Sequence, residues 1–107
     1  SITADVVKLS KCESVSIFAM GAWGTTRSDE DEQCALYLRN LLQGRKPNHE
    51  SVLNLVRVGE EAQKYGDSNQ PQYHPKDLDI ALKIDSADFA IRIEKTDGLL
   101  VAKPVKI

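Results

Sequence analysis

The chain has 107 residues, 41% hydrophobic and 28% charged, with a formal net charge of −2. That balance fits one domain with a modest core and excludes a disordered polymer. The slight acidity argues against nucleic acid as a partner, and no apolar run approaches the roughly 20 residues that a membrane-spanning helix needs.

The first residues, Ser1-Ile2-Thr3-Ala4-Asp5, show no basic region followed by an apolar one, so no secretory signal is read there. Ala4, Val6, Val7 and Leu9 give a weak helical pattern that begins at once, without a Met. This start predicts a fragment or a processed product, although removal of a Met before Ser1 has the same appearance. Cys12 and Cys34 lie at a spacing without a CxxC or Cys/His metal pattern. Reduced thiols and a cytoplasmic location are the expectation.

Residues 14–20 read as a strand covered on both faces, because Val15, Ile17, Phe18, Ala19 and Met20 are almost continuously apolar. A loop with two glycines, Gly21-Ala22-Trp23-Gly24-Thr25-Thr26-Arg27, follows. Ser28 is placed to cap a helix, with Asp31 three residues later. Cys34, Ala35, Leu38, Leu41 and Leu42 fall on one face of that helix, and Gly44 ends it. Past a polar link containing Pro47, a second helix is predicted from about residue 49 to residue 64, with Val52, Leu53, Val56 and Ala62 inward.

Gly66 closes that helix, and residues 67–73 are polar enough for a surface loop. Pro75 suits the first turn of a third helix, where its missing N–H costs nothing. Leu78, Ala81 and Leu82 are expected inward. Phe89, Ile91 and Ile93 then alternate with Ala90, Arg92 and Glu94, the period of a strand. Asp97-Gly98 is a hairpin turn signal. Leu99 to Ala102 returns as the partner strand, with Pro104 marking an edge.

The chemistry concentrates where the first predicted strand ends. In α/β proteins ligands bind beyond the carboxyl ends of strands, and the free N–H groups of a helix start attract anions. Gly21 and Gly24 permit close backbone approach, and Thr25, Thr26, Arg27 and Ser28 supply donors to a phosphate or sulfonate. Asp29, Glu30, Asp31 and Glu32 then crowd four carboxylates into one turn, which repels a bare anion.

A divalent cation between some of these acids and the anion removes the conflict, since Mg²⁺ commonly takes one or two carboxylates plus phosphate oxygens. The same acids also suit the helix dipole without any metal. Successive helical residues point about 100° apart, so at most two can reach one ion. Arg27 has two candidate partners, a substrate anion and the neighbouring acids. Trp23 either walls a pocket or anchors the loop. His49 reads as solvated, His74 as a cap or surface residue, and Cys34 as a core residue.

Val15-Ser16-Ile17-Phe18-Ala19-Met20-Gly21-Ala22-Trp23-Gly24, followed by Glu30-Asp31-Glu32-Gln33-Cys34-Ala35, resembles the later part of the 2-phosphosulfolactate phosphatase family. The downstream helices and the region from Asp79 to Phe89 are similar to that family's C-terminal segment. The resemblance covers nearly all of this chain but only about the later half of a family member. It implies an α/β fold, a three-layer α/β/α sandwich of which residues 1–107 form the C-terminal portion as a single α/β domain. It further implies a Mg²⁺-dependent phosphatase acting on a small anionic phosphate ester. In the family that ester is 2-phosphosulfolactate, hydrolysed in coenzyme M biosynthesis.

Carried over residue by residue, Glu30 and Asp31 become the catalytic and metal-binding acids. Gly21, Trp23 and Gly24 become substrate-binding residues of the loop, to which Thr25 and Arg27 add donors. Two departures stand out. Leu36 follows the Cys-Ala pair where the family has Gly, and the family's N-terminal half is absent. The missing half, covalent or as a companion chain, is therefore an expected partner, and a homo-oligomer is a further one. The alternative is a non-catalytic ligand-binding or protein-interaction module on the same fold.

Overall fold

The computed structural model describes the backbone of residues 1–107 and every side chain except those of Glu60 and Glu61. In chain order the elements are α1 (Ile2–Leu9), α2 (Asp29–Leu42), α3 (His49–Arg57), α4 (Glu60–Gln63), a 3₁₀ turn (Lys64–Gly66), α5 (Pro75–Ala81), β1 (Ala90–Thr96) and β2 (Leu99–Val105). The fold is thus mixed α and β, and its two strands form one antiparallel sheet. The chain packs as two compact units, one of Ser1–Val15 with Asp85–Ile107 and one of Ser16–Ile84.

In the first unit α1 packs against β1. The buried residues on the two elements are Ala4 and Ala90. Both are small, which lets the helix backbone come close to the strand. Asp5 in the first turn and Lys8 in the last both suit the helix dipole.

The hairpin forms because Asp97 and Gly98 adopt φ of 51° and 79°. Two positive φ values in a two-residue loop make the turn whose twist matches the flanking strands. The ladder runs from Thr96↔Leu99 at the turn to Ala90↔Val105 at the open end. The alternation read as a strand is a strand, with Ile91 and Ile93 67% and 58% exposed and Ala90 the buried residue. Successive side chains leave a strand on opposite faces. Packing of α1 at Ala90 therefore leaves the isoleucines on the other, exposed face.

The second unit is built on α2 and α3. Tyr37 Oη and His49 Nε2 lie 2.9 Å apart and join the two helices. His49 is thus a partner of α2 as well as the first residue of α3. Asn48 caps α3 by accepting the Ser51 N–H at 3.0 Å. The predicted helix from 49 to 64 is broken. α3 stops at Arg57, and α4 starts only after Gly59. A Cβ on Gly59 would lie 2.7 Å from Asp29 Oδ2 and 3.2 Å from the Val56 carbonyl oxygen. The break therefore fits the start of α2 against a residue without a side chain.

Downstream, Pro75 opens α5 as expected, and His74 Nδ1 accepts the Lys76 N–H at 3.1 Å. Tyr65 and Tyr73 meet edge to face with centroids 5.5 Å apart, and the Lys64 ammonium lies 4.5 Å from the Tyr73 ring centre. Together they fold the loop before α5 back on the 3₁₀ turn. Arg57 and Asp79 pair at 3.2 Å, linking α3 to α5.

Two expectations are corrected in this region. Residues 14–20 form neither strand nor helix. Among the described residues no backbone–backbone hydrogen bond involves them. Phe18 is 80% exposed and Met20 75%. An apolar run becomes a buried strand only when neighbouring strands satisfy its N–H and C=O groups, and the sheet of this chain ends at β1 and β2. Cys34, expected in the core, is exposed, as is Cys12, and both are free thiols. Helix α2 holds no fully buried residue. Among the described residues no helix is long and apolar enough to cross a membrane.

Candidate functional site

The glycine loop and the first turn of α2 form one locally closed structure. Gly21, Trp23 and Gly24 all have positive φ, at 71°, 57° and 68°. Trp23 and Gly24 reverse the chain, so that Ala22 and Thr26 face each other as an isolated antiparallel bridge. The Ala22 N–H donates to the Thr26 carbonyl at 2.8 Å, and the Thr26 N–H donates back at 3.0 Å. The Thr25 N–H also donates to the Ala22 carbonyl, at 3.2 Å. Gly21 is required by contact as well as conformation, since a Cβ there would lie 2.3 Å from the Thr26 carbonyl oxygen.

The four acids separate in function. Asp31 Oδ2 accepts the Gly21 N–H at 2.7 Å and so fastens the loop to the helix. Glu30 Oε1 accepts the Ser28 hydroxyl at 2.6 Å. Ser28 is the residue before the helix, as predicted, and is buried. Its hydroxyl bonds Glu30 and not a backbone N–H, while its carbonyl accepts the Glu32 N–H at 3.1 Å. Asp29 lies against Gly59.

Glu32 takes Arg27 in a two-point pair, with Nε at 2.6 Å and a terminal nitrogen at 2.9 Å. That pair raises the Arg27 pKa and lowers the Glu32 pKa from their ordinary values, the hydrogen bond being the main cause in each case. Of the two partners the sequence left open to Arg27, the neighbouring acid is the one in place. Trp23 is 96% exposed, so it does not anchor the loop to the core. The Cys34 thiol, although accessible, has enough protein around its sulfur to push its pKa up, and nearby Asp31 adds to the shift. It is therefore protonated at neutral pH and a poor nucleophile.

Of the loop residues, Gly21 bonds Asp31 directly, Trp23, Gly24 and Thr25 form the turn, and Arg27 pairs with Glu32 and not with Glu30 or Asp31. Glu30 and Asp31 each use one oxygen locally. Among the described residues the other two oxygens, Glu30 Oε2 and Asp31 Oδ1, accept no hydrogen bond. Mg²⁺ commonly takes one or two carboxylates from a protein, with phosphate and water completing its shell, and Glu30 and Asp31 each keep an oxygen to offer. No group of three or more His, Cys, Asp or Glu side chains is placed to hold a metal among the described residues.

Two contacts here carried no signal in the sequence. One is the seat of Asp29 on Gly59 and the other is the Tyr37–His49 bond. Both join residues of separate segments, and no periodicity or short motif marks either pair. Comparison with family models, with curated proteins and with solved structures finds no match to this chain.

Proposed function

We propose that this chain is the C-terminal portion of a Mg²⁺-dependent phosphatase resembling the 2-phosphosulfolactate phosphatases, active only with an N-terminal half or companion chain. The observation that carries this reading is the exposed apolar run at 14–20, which leads directly into the glycine loop and the acidic helix start. Strands from a missing half would pair with it, cover Val15, Ile17, Phe18 and Met20, and make it a central strand of a three-layer α/β/α sandwich. The loop would then lie beyond the carboxyl end of that strand, where α/β folds bind ligands.

On this reading Glu30 and Asp31 hold the cation through the oxygens that the fold leaves unused. Mg²⁺, when bound, supplies Lewis-acid stabilisation to the phosphoryl group. The Gly24 N–H and the Thr25 hydroxyl offer donors to the anionic ester, and Trp23 folds over it once the missing half supplies the facing wall. Arg27 holds Glu32 in place or exchanges it for the substrate. A cytoplasmic location accords with two free thiols.

The test is phosphate release from 2-phosphosulfolactate by the intact cellular protein, with and without Mg²⁺. Release is expected only with metal, and Glu30→Ala and Asp31→Ala should each reduce it by orders of magnitude. Near-normal turnover in both variants would remove these acids from the mechanism. A second reading, a non-catalytic binding or interaction module, is favoured by the local use of Asp31 on Gly21 and of Glu32 on Arg27. It predicts no metal-dependent release from any phosphate ester by the intact protein.

A further inference from the structure

We propose that β1 is the dimerisation edge of this chain, pairing antiparallel with β1 of a second copy about a two-fold axis through Ile93. This inference is independent of the phosphatase reading. A two-residue loop makes its closing residues, Thr96 and Leu99, a hydrogen-bonded pair. Such pairs alternate along an antiparallel ladder. Ala90, Arg92 and Glu94 therefore bond inward to β2, while Ile91, Ile93 and Lys95 turn their N–H and C=O groups outward. On β2 the outward positions are Leu100, Ala102 and Pro104. Pro104 has no N–H, so the outer edge of β2 is blunted. The outer edge of β1 keeps all its donors and has no strand beside it among the described residues.

An edge of this kind is a template for another strand, and the side chains of β1 specify which one. With the axis at Ile93, the outward residues meet outward residues. Ile93 faces its own copy, and Ile91 faces Lys95 of the second chain. On the other face Arg92 falls opposite Glu94 of the second copy, and Glu94 opposite its Arg92. These are non-hydrogen-bonded positions, where facing side chains come closest. An axis at Ile91 sets Arg92 against Ala90, and an axis at Lys95 sets the two Lys95 ammonium groups against each other. Only the register centred on Ile93 is complementary in charge.

Both charged residues are accessible in the single chain, where Arg92 and Glu94 pair with each other at 2.6 Å with side-chain exposures of 58% and 31%. Pairing also joins the exposed Ile91 and Ile93 of two hairpins into one apolar face. That face continues into a shallow groove of about 470 Å³ beside Phe89, Ala102 and Pro104.

The test is the mass of the full chain in solution by sedimentation equilibrium, from micromolar concentration upward. The wild type should dimerise. Arg92→Glu sets carboxylate against carboxylate at both cross-strand pairs of the dimer, and Glu94→Arg sets guanidinium against guanidinium at both. Each should weaken association by roughly tenfold or more, since two cross-strand pairs change from attraction to repulsion. Mixing the two single variants should restore dimers, because every pair in the mixed dimer is again free of the double repulsion that each variant meets in its own copy: one pair sets the new carboxylate against the new guanidinium, and the other keeps the original Glu94 against the original Arg92. In the wild type alone, amide exchange at Ile91, Ile93 and Lys95 should slow as concentration rises, and exchange at Arg92 should not. A wild type that stays monomeric would overturn the proposal and leave the edge to a strand of another protein. Single variants that dimerise like wild type, or a mixture that stays monomeric, would overturn it equally.

Discussion

Residues 14–20 and residues 90–105 both carry β-branched and other apolar side chains, yet only the second stretch is a sheet. The difference lies in what each stretch brings with it. The hairpin carries its own partner seven residues long, and its own turn, Asp97-Gly98, with both φ values positive. Register and hydrogen bonding are therefore settled by adjacent sequence, and the packing of α1 on β1 adds a layer that a bare two-stranded ribbon needs. The run at 14–20 has glycine and a tight turn on its far side, but the chain there turns into α2 and does not return as a strand. Apolar content selects a residue for burial; it does not provide the hydrogen-bond partner that burial requires.

The largest test of that contrast is at the boundary where backbone hydrogen bonding resumes after residue 20. Gly21→Ala places a Cβ 2.3 Å from the Thr26 carbonyl oxygen in a backbone with φ of 71°. The left-handed conformation alone costs an L-residue roughly 1–2 kcal/mol, and the overlap adds to it. Urea denaturation should show a loss of more than about 2 kcal/mol, with the hairpin amides unaffected. A variant as stable as wild type would mean that the loop is not fixed by its own bonds.

Next in size is Gly98→Val. It removes what distinguishes the hairpin from residues 14–20, and should cost about 1–2 kcal/mol for a β-branched residue held at φ near 79°. Amide protection in β1 and β2 should fall toward the level of residues 14–20. If protection persists, the turn does not set the register.

Smaller again is Asn48→Ala, which removes the side-chain acceptor of the Ser51 N–H and should cost about 1 kcal/mol. The loss should appear in α3 and leave hairpin exchange unchanged, since the two lie in different units. A matching loss in the hairpin would show that the units do not respond separately.

What was legible in the sequence divides along the same line. Pro75 at a helix start, Asp97-Gly98 at a turn and Ser28 before α2 each express a preference of a few adjacent residues, and each is where it was read. The need for glycine at position 59 escapes a local reading because the group it makes room for is Asp29, in α2 and far away in sequence. The inward face of β1 escapes it because α1 packs at Ala90, so the smallest residue of the strand is the buried one. In the candidate site, the loop, its glycines and the acidic turn could be read from local sequence. The assignment of Asp31 to Gly21 and of Glu30 to Ser28 could not, since several acids in one turn were equivalent as letters.

The smallest effect expected is one of pH, and it separates the two stretches most cleanly. Residues 14–20 contain no Asp, Glu, Lys, Arg or His, so their exchange should change with pH only as any unprotected amide does. The hairpin contains Glu94, whose carboxylate takes hydrogen bonds from Lys103 first and Arg92 second, and these hold its pKa below the ordinary value of 4.5. A carboxyl group whose pKa is lower in the folded chain stabilises that chain fully above the unfolded value. The contribution is lost as pH falls through the lower, folded value. At concentrations where the chain is monomeric, hairpin protection relative to intrinsic exchange should hold down to about pH 5 and decline below it. The decline should be modest, because the pairs are exposed and screened, and Glu94→Gln should abolish it. Hairpin protection that rises on acidification would contradict the assigned pairs, because protonating Glu94 removes an acceptor from both cations.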